Sequence, residues 1–498
     1  MTLAWRSRTC VAALMFLPGV GPGFAQAAPP ADAAQRLIGR ALGETPLLDD
    51  LRELCDRIGG RLTGSAACER AIEWAAEKLR AAGVESVALE PFTMPRLWLP
   101  GSAVALCVAP EPFLIPIAAV PFAPPTSEGA PLEAPLVDAG QGAPEDFAAL
   151  GSSAQGAIAL VRSDEMNTLG DLFAEYMRNS AMLEAAQAAG VAALLLQSTR
   201  PRGLLYRHPV TFNAVPAPLP VAQVERESAA RLQRLLARGA VRVELEIGGR
   251  SGGPYESHNV IAELRGRERP EEIVLLGAHL DSFDLGTGAD DNGVNVALVI
   301  DVARAFRELG LTPRRTVRFA LFTGEEQGML GSAAYVERHA AELDHHVAVV
   351  IFDIGSGRTT GFFLNGREEL RVPVERALAP AAGLGPFALV NDGVDGTDNF
   401  DFLLSGVPNL VALQDEAGYL PNYHAESDVF EMVQQREARL NAAIAASLVW
   451  NLAEQEQRLA PRQSRAQVEQ LLVETGLDQQ MKAFKQWDDW VAGRRGHH

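Results

Sequence analysis

Apolar residues recur at helical spacing over 47–83 and stop at Gly83, which predicts helix; 84–92 then alternates as a strand does. Prolines and glycines between 102 and 135 predict short strands and turns. The run 157–161 reads as a buried strand, followed by a helix that passes Met182 and stops at Gly190. A strand over 191–196, a helix over 229–238 and a strand over 241–247 complete a stretch with its own βαβ logic. Its length favours a separate insertion over a continuation of the neighbouring sheet.

From Asn259 the pattern changes. Segments 273–278, 316–323, 347–352 and 409–413 are near-continuous apolar runs, separated by helical patterns at 295–309 and 332–339. Strands of that kind are buried on both faces, so the expected fold class is α/β, a mixed and largely parallel sheet flanked by helices. The chemistry of such sheets gathers beyond the carboxyl ends of their strands.

Composition narrows the function. At 498 residues the chain exceeds one ordinary core, and 47% hydrophobic with 21% charged residues is a globular balance. A formal charge of -19 excludes non-specific nucleic-acid binding through the overall field. Four cysteines are too few for a disulfide-stapled scaffold. Arg6 and Arg8, an apolar run over 10–17 and Ala25-Gln26-Ala27 form a signal peptide pattern with cleavage after Ala27, so a secreted or periplasmic location is expected. Cleavage removes Cys10 and two arginines but no acid, deepening the charge to -21 and leaving Cys55, Cys68 and Cys107. A Cys55–Cys68 bridge is permitted by that compartment but not required. The apolar stretch 103–123 carries Pro110, Pro112, Pro116 and Pro121 and cannot be a spanning helix.

The strand ends carry the candidate chemistry. His279-Leu280-Asp281 follows the first run, and residues two apart on an extended chain point the same way. Gly288-Ala289-Asp290-Asp291-Asn292-Gly293 puts two acids in a glycine-rich loop before a helix. Glu325-Glu326 follows the next strand, Asp353 the one after, and a late loop holds Tyr423-His424. Each fragment alone is as well explained by a polar strand end or a helix cap. Together they are a set of His and carboxylate ligands with no Cys, which suits a divalent metal and argues against a structural zinc site.

This ordered series resembles the co-catalytic dizinc exopeptidase family, which includes secreted leucyl aminopeptidases and plasma glutamate carboxypeptidase. The front text Gly59-Gly60-Arg61-Leu62-Thr63-Gly64-Ser65 and Trp98-Leu99-Pro100-Gly101 is similar to the carboxypeptidase branch. Residues 102–250 resemble a protease-associated domain inserted into the peptidase fold. The implied layout is signal peptide 1–27, peptidase parts 28–101 and 251–455, insertion 102–250 and a helical extension 456–498. The resemblance implies two Zn²⁺ per chain. His279 and Asp353 would hold one, Glu326 and His424 the other, and Asp291 both, with a hydroxide between the metals. Glu325 would be the general base and Asp281 would orient His279. The implied substrates are short peptides or dipeptides; homodimerisation is left open.

Where family members carry Gly-Ser-Asp-His, this chain has Gly396-Thr397-Asp398-Asn399. Asp398 is accordingly either a pocket residue or a helix cap before Phe400, and Tyr423 joins it as a substrate-binding candidate. His345-His346 and His497-His498 lack acidic partners at metal spacing and are expected on the surface. Two other readings stay open: an inactive receptor-like relative, which should have lost ligands, and a single-zinc acyltransferase resembling glutaminyl cyclase.

Overall fold

A computed structural model describes residues 30–126 and 131–498. The signal peptide assignment lies outside the described residues. Two eight-stranded sheets organise the chain. In the first, strands run in the order Ser86–Met94, Tyr255–Leu264, Arg315–Phe322, Arg269–His279, His346–Ile351, Asn409–Gln414, Thr359–Phe363 and Ala388–Val390. The four central strands are mutually parallel, and antiparallel strands flank them.

Period-two alternation sends successive side chains of these strands into different cores. Val274, Leu276, Val317, Phe319 and Val350 face one side, where helices Val294–Glu308 and Gln435–Glu454 cover them. Leu275, Ala320, Phe322, Val349 and Ile351 face the other, under helices Leu330–Arg338 and Phe400–Leu404. Both faces are dry, which is why these strands read as unbroken apolar runs.

The second sheet runs Phe113–Ile115, Leu97–Ala109, Arg242–Gly252, Leu132–Asp138, Ile158–Val161, Ala193–Gln197, Val221–Val224 and Ile117–Ala119. Its strands therefore extend from Leu97 to Gly252. The proline-bearing apolar stretch 103–123 lies in strands and their connections, not in a helix. Thr168 caps helix Leu169–Ala189, accepting a hydrogen bond from the Asp171 backbone, and Gly190 ends it in the left-handed region.

Two expectations need correction. The helical pattern over 47–83 is two helices, Leu47–Glu53 continued by a π-helical turn Leu54–Ile58, and Ala66–Ala81, because the chain turns at Gly59 with φ 78° and passes flush against its neighbour at Gly60. A Cβ at Gly60 would sit 2.6 Å from Asp284 Cα, so only glycine fits. His346 is not on the surface: it is buried, 2.9 Å from the Tyr335 hydroxyl, and its Nδ1 is 3.0 Å from the Glu342 carbonyl. Burial and the Arg318 charge lower its pKa to about 3, so the ring is neutral. Cys55, Cys68 and Cys107 are buried free thiols. No helix among the described residues is long and apolar enough to cross a membrane.

Candidate functional site

The strand ends of the first sheet converge as expected. His279 closes strand Arg269–His279, and its Nε2 lies 3.1 Å from Asp291 Oδ1 and 2.9 Å from Asp353 Oδ1. His424 Nε2 lies 2.8 Å from Glu326 Oε2 and 3.3 Å from Asp291 Oδ2. The two triads, His279/Asp291/Asp353 and Asp291/Glu326/His424, share Asp291, which turns one oxygen to each. All five side chains are buried.

Such a cluster cannot be satisfied by its own hydrogen bonds. One ring nitrogen offers at most one proton, yet each faces two carboxylates. Asp291 Oδ2, Glu326 Oε1, Asp353 Oδ1 and His424 Nδ1 are buried without a hydrogen-bond partner. Uncompensated buried carboxylates are costly. The electrostatics record this excess. Burial disfavours charge on His279, but the Asp353 and Glu325 carboxylates override it and hold its pKa well above the ordinary value. His424 rises to about 9 against its own burial, through Glu326 and Asp291. Burial raises Glu326 to about 7. A nitrogen-and-oxygen donor set with no thiolate and two triads sharing one carboxylate fits a pair of divalent ions, zinc above all.

Glu325 lies beside the triads but belongs to neither. Burial and the nearby Asp353, Glu326 and Asp398 carboxylates raise its pKa well above the usual range, although His279 pulls the other way. Asp281 meets His279 twice. The ring's Nδ1 is 3.0 Å from the Asp281 backbone carbonyl and 3.7 Å from its carboxylate, which helps to hold the ring's pKa up. That carboxylate also accepts from Thr63 Oγ1 at 2.6 Å and from the Glu325 backbone N–H at 3.3 Å. The residue thus acts on the ring through main chain and side chain, and on the Glu325 turn through its side chain.

Several supports escaped the sequence reading. Asp428 accepts the backbone N–H groups of Asp290 and Asp291 at 2.7 and 3.1 Å, fixing the loop that presents Asp291. Arg61, fully buried, donates to the carbonyls of Leu280, Thr287 and Gly288 at 2.7, 2.7 and 2.8 Å. The Arg207 backbone N–H donates to the His424 carbonyl at 3.0 Å, and its guanidinium meets Asp284 at 2.6 and 3.2 Å. His424 itself sits at φ 57°, a conformation these contacts hold in place. Arg61 stood inside a quoted motif; only proximity in the fold marks the roles of Arg61 and Asp428.

Beside the triads opens a cavity of about 300 Å³. Glu325, Glu326, Asp353 and His424 form its polar wall, and Leu172, Phe173, Tyr176 and Phe212 of the second-sheet region form an apolar one. Tyr423 lines it, stacked on His424 with centroids 3.6 Å apart. Asp398 does not line it. It is buried where His279, Asp353 and Asp281 all act on its charge, and helix Phe400–Leu404 has Asn399, not Asp398, at its N-cap. Thr397 faces the cavity in its place, with Asp392 and Asp395.

Residues 259–449 match Peptidase family M28. Over 412 residues the chain is 29% identical to carboxypeptidase Q of Bos taurus, covering 82% of this chain and 85% of that protein. It is 25% identical over 421 residues to aminopeptidase YwaD of Bacillus subtilis, covering 82% and 84%. The solved structure of an M28 peptidase precursor from Shewanella amazonensis aligns with TM-score 0.80 at 29% identity, over 87% of this chain and 99% of that one. The zinc aminopeptidase BSAP from Bacillus subtilis shares the fold, with TM-score 0.66 at 20% identity over 84% and 97%.

Proposed function

We propose that this chain is a zinc exopeptidase that uses two zinc ions to release the amino-terminal residue of short peptides or dipeptides, a reading that the match of residues 259–449 to Peptidase family M28 supports. The observation that carries this reading is the pair of triads meeting at Asp291. His279 and Asp353 would hold one ion, Glu326 and His424 the other, and Asp291 both. Zinc bound there supplies a Lewis acid for the scissile carbonyl and a water with a pKa of about 7.

The chain's own residues do the rest. Glu325 stays outside the ligand set and would take a proton from water and return it to the leaving nitrogen. Its position is fixed by the bond from its N–H to Asp281. The Tyr176 and Tyr423 hydroxyls, 3.4 Å apart, offer donors toward a bound peptide. The cavity supports recognition of the amino end: Asp392 and Asp395 line it, and among its described lining residues there is no Lys or Arg to meet a free carboxylate. The leader over 1–27 would export the enzyme.

Dipeptides blocked at one end or the other test the reading. Amino-terminal acetylation should abolish hydrolysis and carboxyl-terminal amidation should be tolerated; the reverse pattern overturns amino-end recognition. Glu325→Gln should keep both zincs and lower kcat about 10²–10⁴-fold. Full activity with bound zinc would remove Glu325 from the mechanism.

A further inference from the structure

The two histidines of the triads are supported differently. His279 Nδ1 meets the Asp281 carbonyl at 3.0 Å, whereas His424 Nδ1 is buried without a hydrogen-bond partner. A metal-binding imidazole is ordinarily turned toward its ion by the hydrogen bond on its other nitrogen. Around His424 stand rings instead. Tyr423 stacks on it with centroids 3.6 Å apart, and Phe283 and His208 meet it edge-on at 4.6 and 5.2 Å. His208 belongs to the second-sheet region and is itself buried.

Both nitrogens of the His208 ring are held. Nε2 lies 3.4 and 3.5 Å from the two terminal nitrogens of Arg200, and a guanidinium can only donate, so Nε2 accepts and the ring proton sits on Nδ1. Nδ1 donates to Glu175 Oε1 at 3.1 Å. Glu175 also accepts the Tyr206 hydroxyl at 3.2 Å, and that hydroxyl accepts the Thr199 N–H at 3.1 Å and Gln223 Nε2 at 3.0 Å. Arg200 lies over the Tyr206 ring, 4.0 Å from its centroid. The main chain adds its own ties. Arg207 N–H donates to the His424 carbonyl at 3.0 Å, Glu426 N–H donates to the Leu205 carbonyl at 3.1 Å, and Tyr206 and Ala425 form an antiparallel bridge between them.

Resting on the dizinc reading above, we propose that His208 is a positioning residue for His424: Glu175 and Arg200 fix the His208 ring, and its edge sets the angle at which His424 turns Nε2 toward Glu326 and Asp291. Ring packing from the second-sheet region thus does for His424 what the Asp281 carbonyl does for His279. Removing His208 therefore acts on the triad of Asp291, Glu326 and His424 and spares the ligands His279 and Asp353. His208 touches no reacting atom in this reading; it acts only through the ring beside it.

The test uses the full chain with isotope-labelled histidine, so that the ring signals of His279 and His424 are followed separately by NMR among nine histidines. In the metal-free protein, His208→Ala should move the His424 signal and leave that of His279 in place. His208→Phe, which keeps a ring in the same space but loses both anchors, should move it less. Zinc is then titrated against a chelator. For His208→Ala the ion read at His424 should be held about 10–100-fold more weakly while the ion read at His279 is unchanged, and His208→Phe should recover part of the loss. A His424 signal unmoved in both variants overturns the proposal. So does equal weakening of both ions with a lowered melting temperature, which is what a merely structural residue would give. A His424 signal that moves on substitution, in a parent chain that takes up fewer than two zinc ions, sinks the dizinc reading and leaves the positioning of the ring standing.

Discussion

Asp281 joins two distant parts of the chain beside the two triads: its Oδ1 accepts the Glu325 backbone N–H at 3.3 Å, while its Oδ2 accepts the Thr63 hydroxyl at 2.6 Å. The Thr63 hydroxyl oxygen in turn accepts the Gly324 N–H at 3.1 Å. The turn carrying Glu325 is therefore held by a side chain from the far end of the sequence. Thr63→Val keeps the shape but leaves the buried Gly324 N–H without an acceptor, which should cost about 1–3 kcal/mol. Denaturant titration reads that loss. kcat should fall with zinc content unchanged; full stability and activity together would show that the turn holds itself.

Asp428 should govern metal affinity without touching metal. Its two oxygens anchor the N–H groups of Asp290 and Asp291, so Asp428→Ala frees the loop that shares Asp291 between the triads. Loss of such outer support typically weakens metal binding 10–100-fold. Competition with a zinc chelator measures this. The variant should lose zinc at correspondingly lower chelator concentration, and an unchanged titration would remove Asp428 from that role.

Asp395 gives a pH signature in stability. Burial, with Asp401 adding to it and Arg495 and the Gly396 backbone opposing, raises its pKa to about 7. The folded state therefore keeps a proton that the unfolded chain, with a carboxyl near 3.9, has already released. Its contribution favours folding fully below about pH 4 and is lost as pH rises to about 7. Asp395→Asn should be more stable than the parent above pH 7 and gain nothing at pH 4. Thermal melts at the two pH values decide it; a gain independent of pH would mean the carboxyl is not strained by burial.

Arg207 couples the second-sheet region to the metal loop through Asp284 and the His424 carbonyl. Asp284 keeps 29% side-chain exposure, so water moderates the loss when the pair is broken. Arg207→Met should cost about 1–2 kcal/mol and lower kcat/KM more than stability alone explains. Limited proteolysis should find the 203–213 connection newly cleaved; protection equal to the parent would mean the docking does not depend on this pair.

The sheet and the His and carboxylate residues of the two triads were legible for one reason. Strands covered on both faces must be apolar throughout, so a His, Asp or Glu at such a strand's end is conspicuous. Runs such as Val347-Ala348-Val349-Val350-Ile351 announce Asp353 in one dimension. The buried state of His346 was not legible, because it depends on Tyr335 lying across it, and an alternating pattern cannot show that partner. Asp398 was undecided for a related reason: its neighbours in sequence allowed a pocket residue or a helix cap, whereas the charges that act on it in space are His279, Asp353 and Asp281.

The sequence by itself determined which residues could bind metal and which strands would present them, since both follow from residue type and local periodicity. Only the tertiary structure decided what surrounds them: that Thr63 steadies Glu325 through Asp281, that Asp428 holds the shared loop, and that Phe484 closes the cavity against Phe212. Those pairs lie more than a hundred residues apart. Local pattern carries no information across such separations, because packing selects the partner and the intervening chain only permits it.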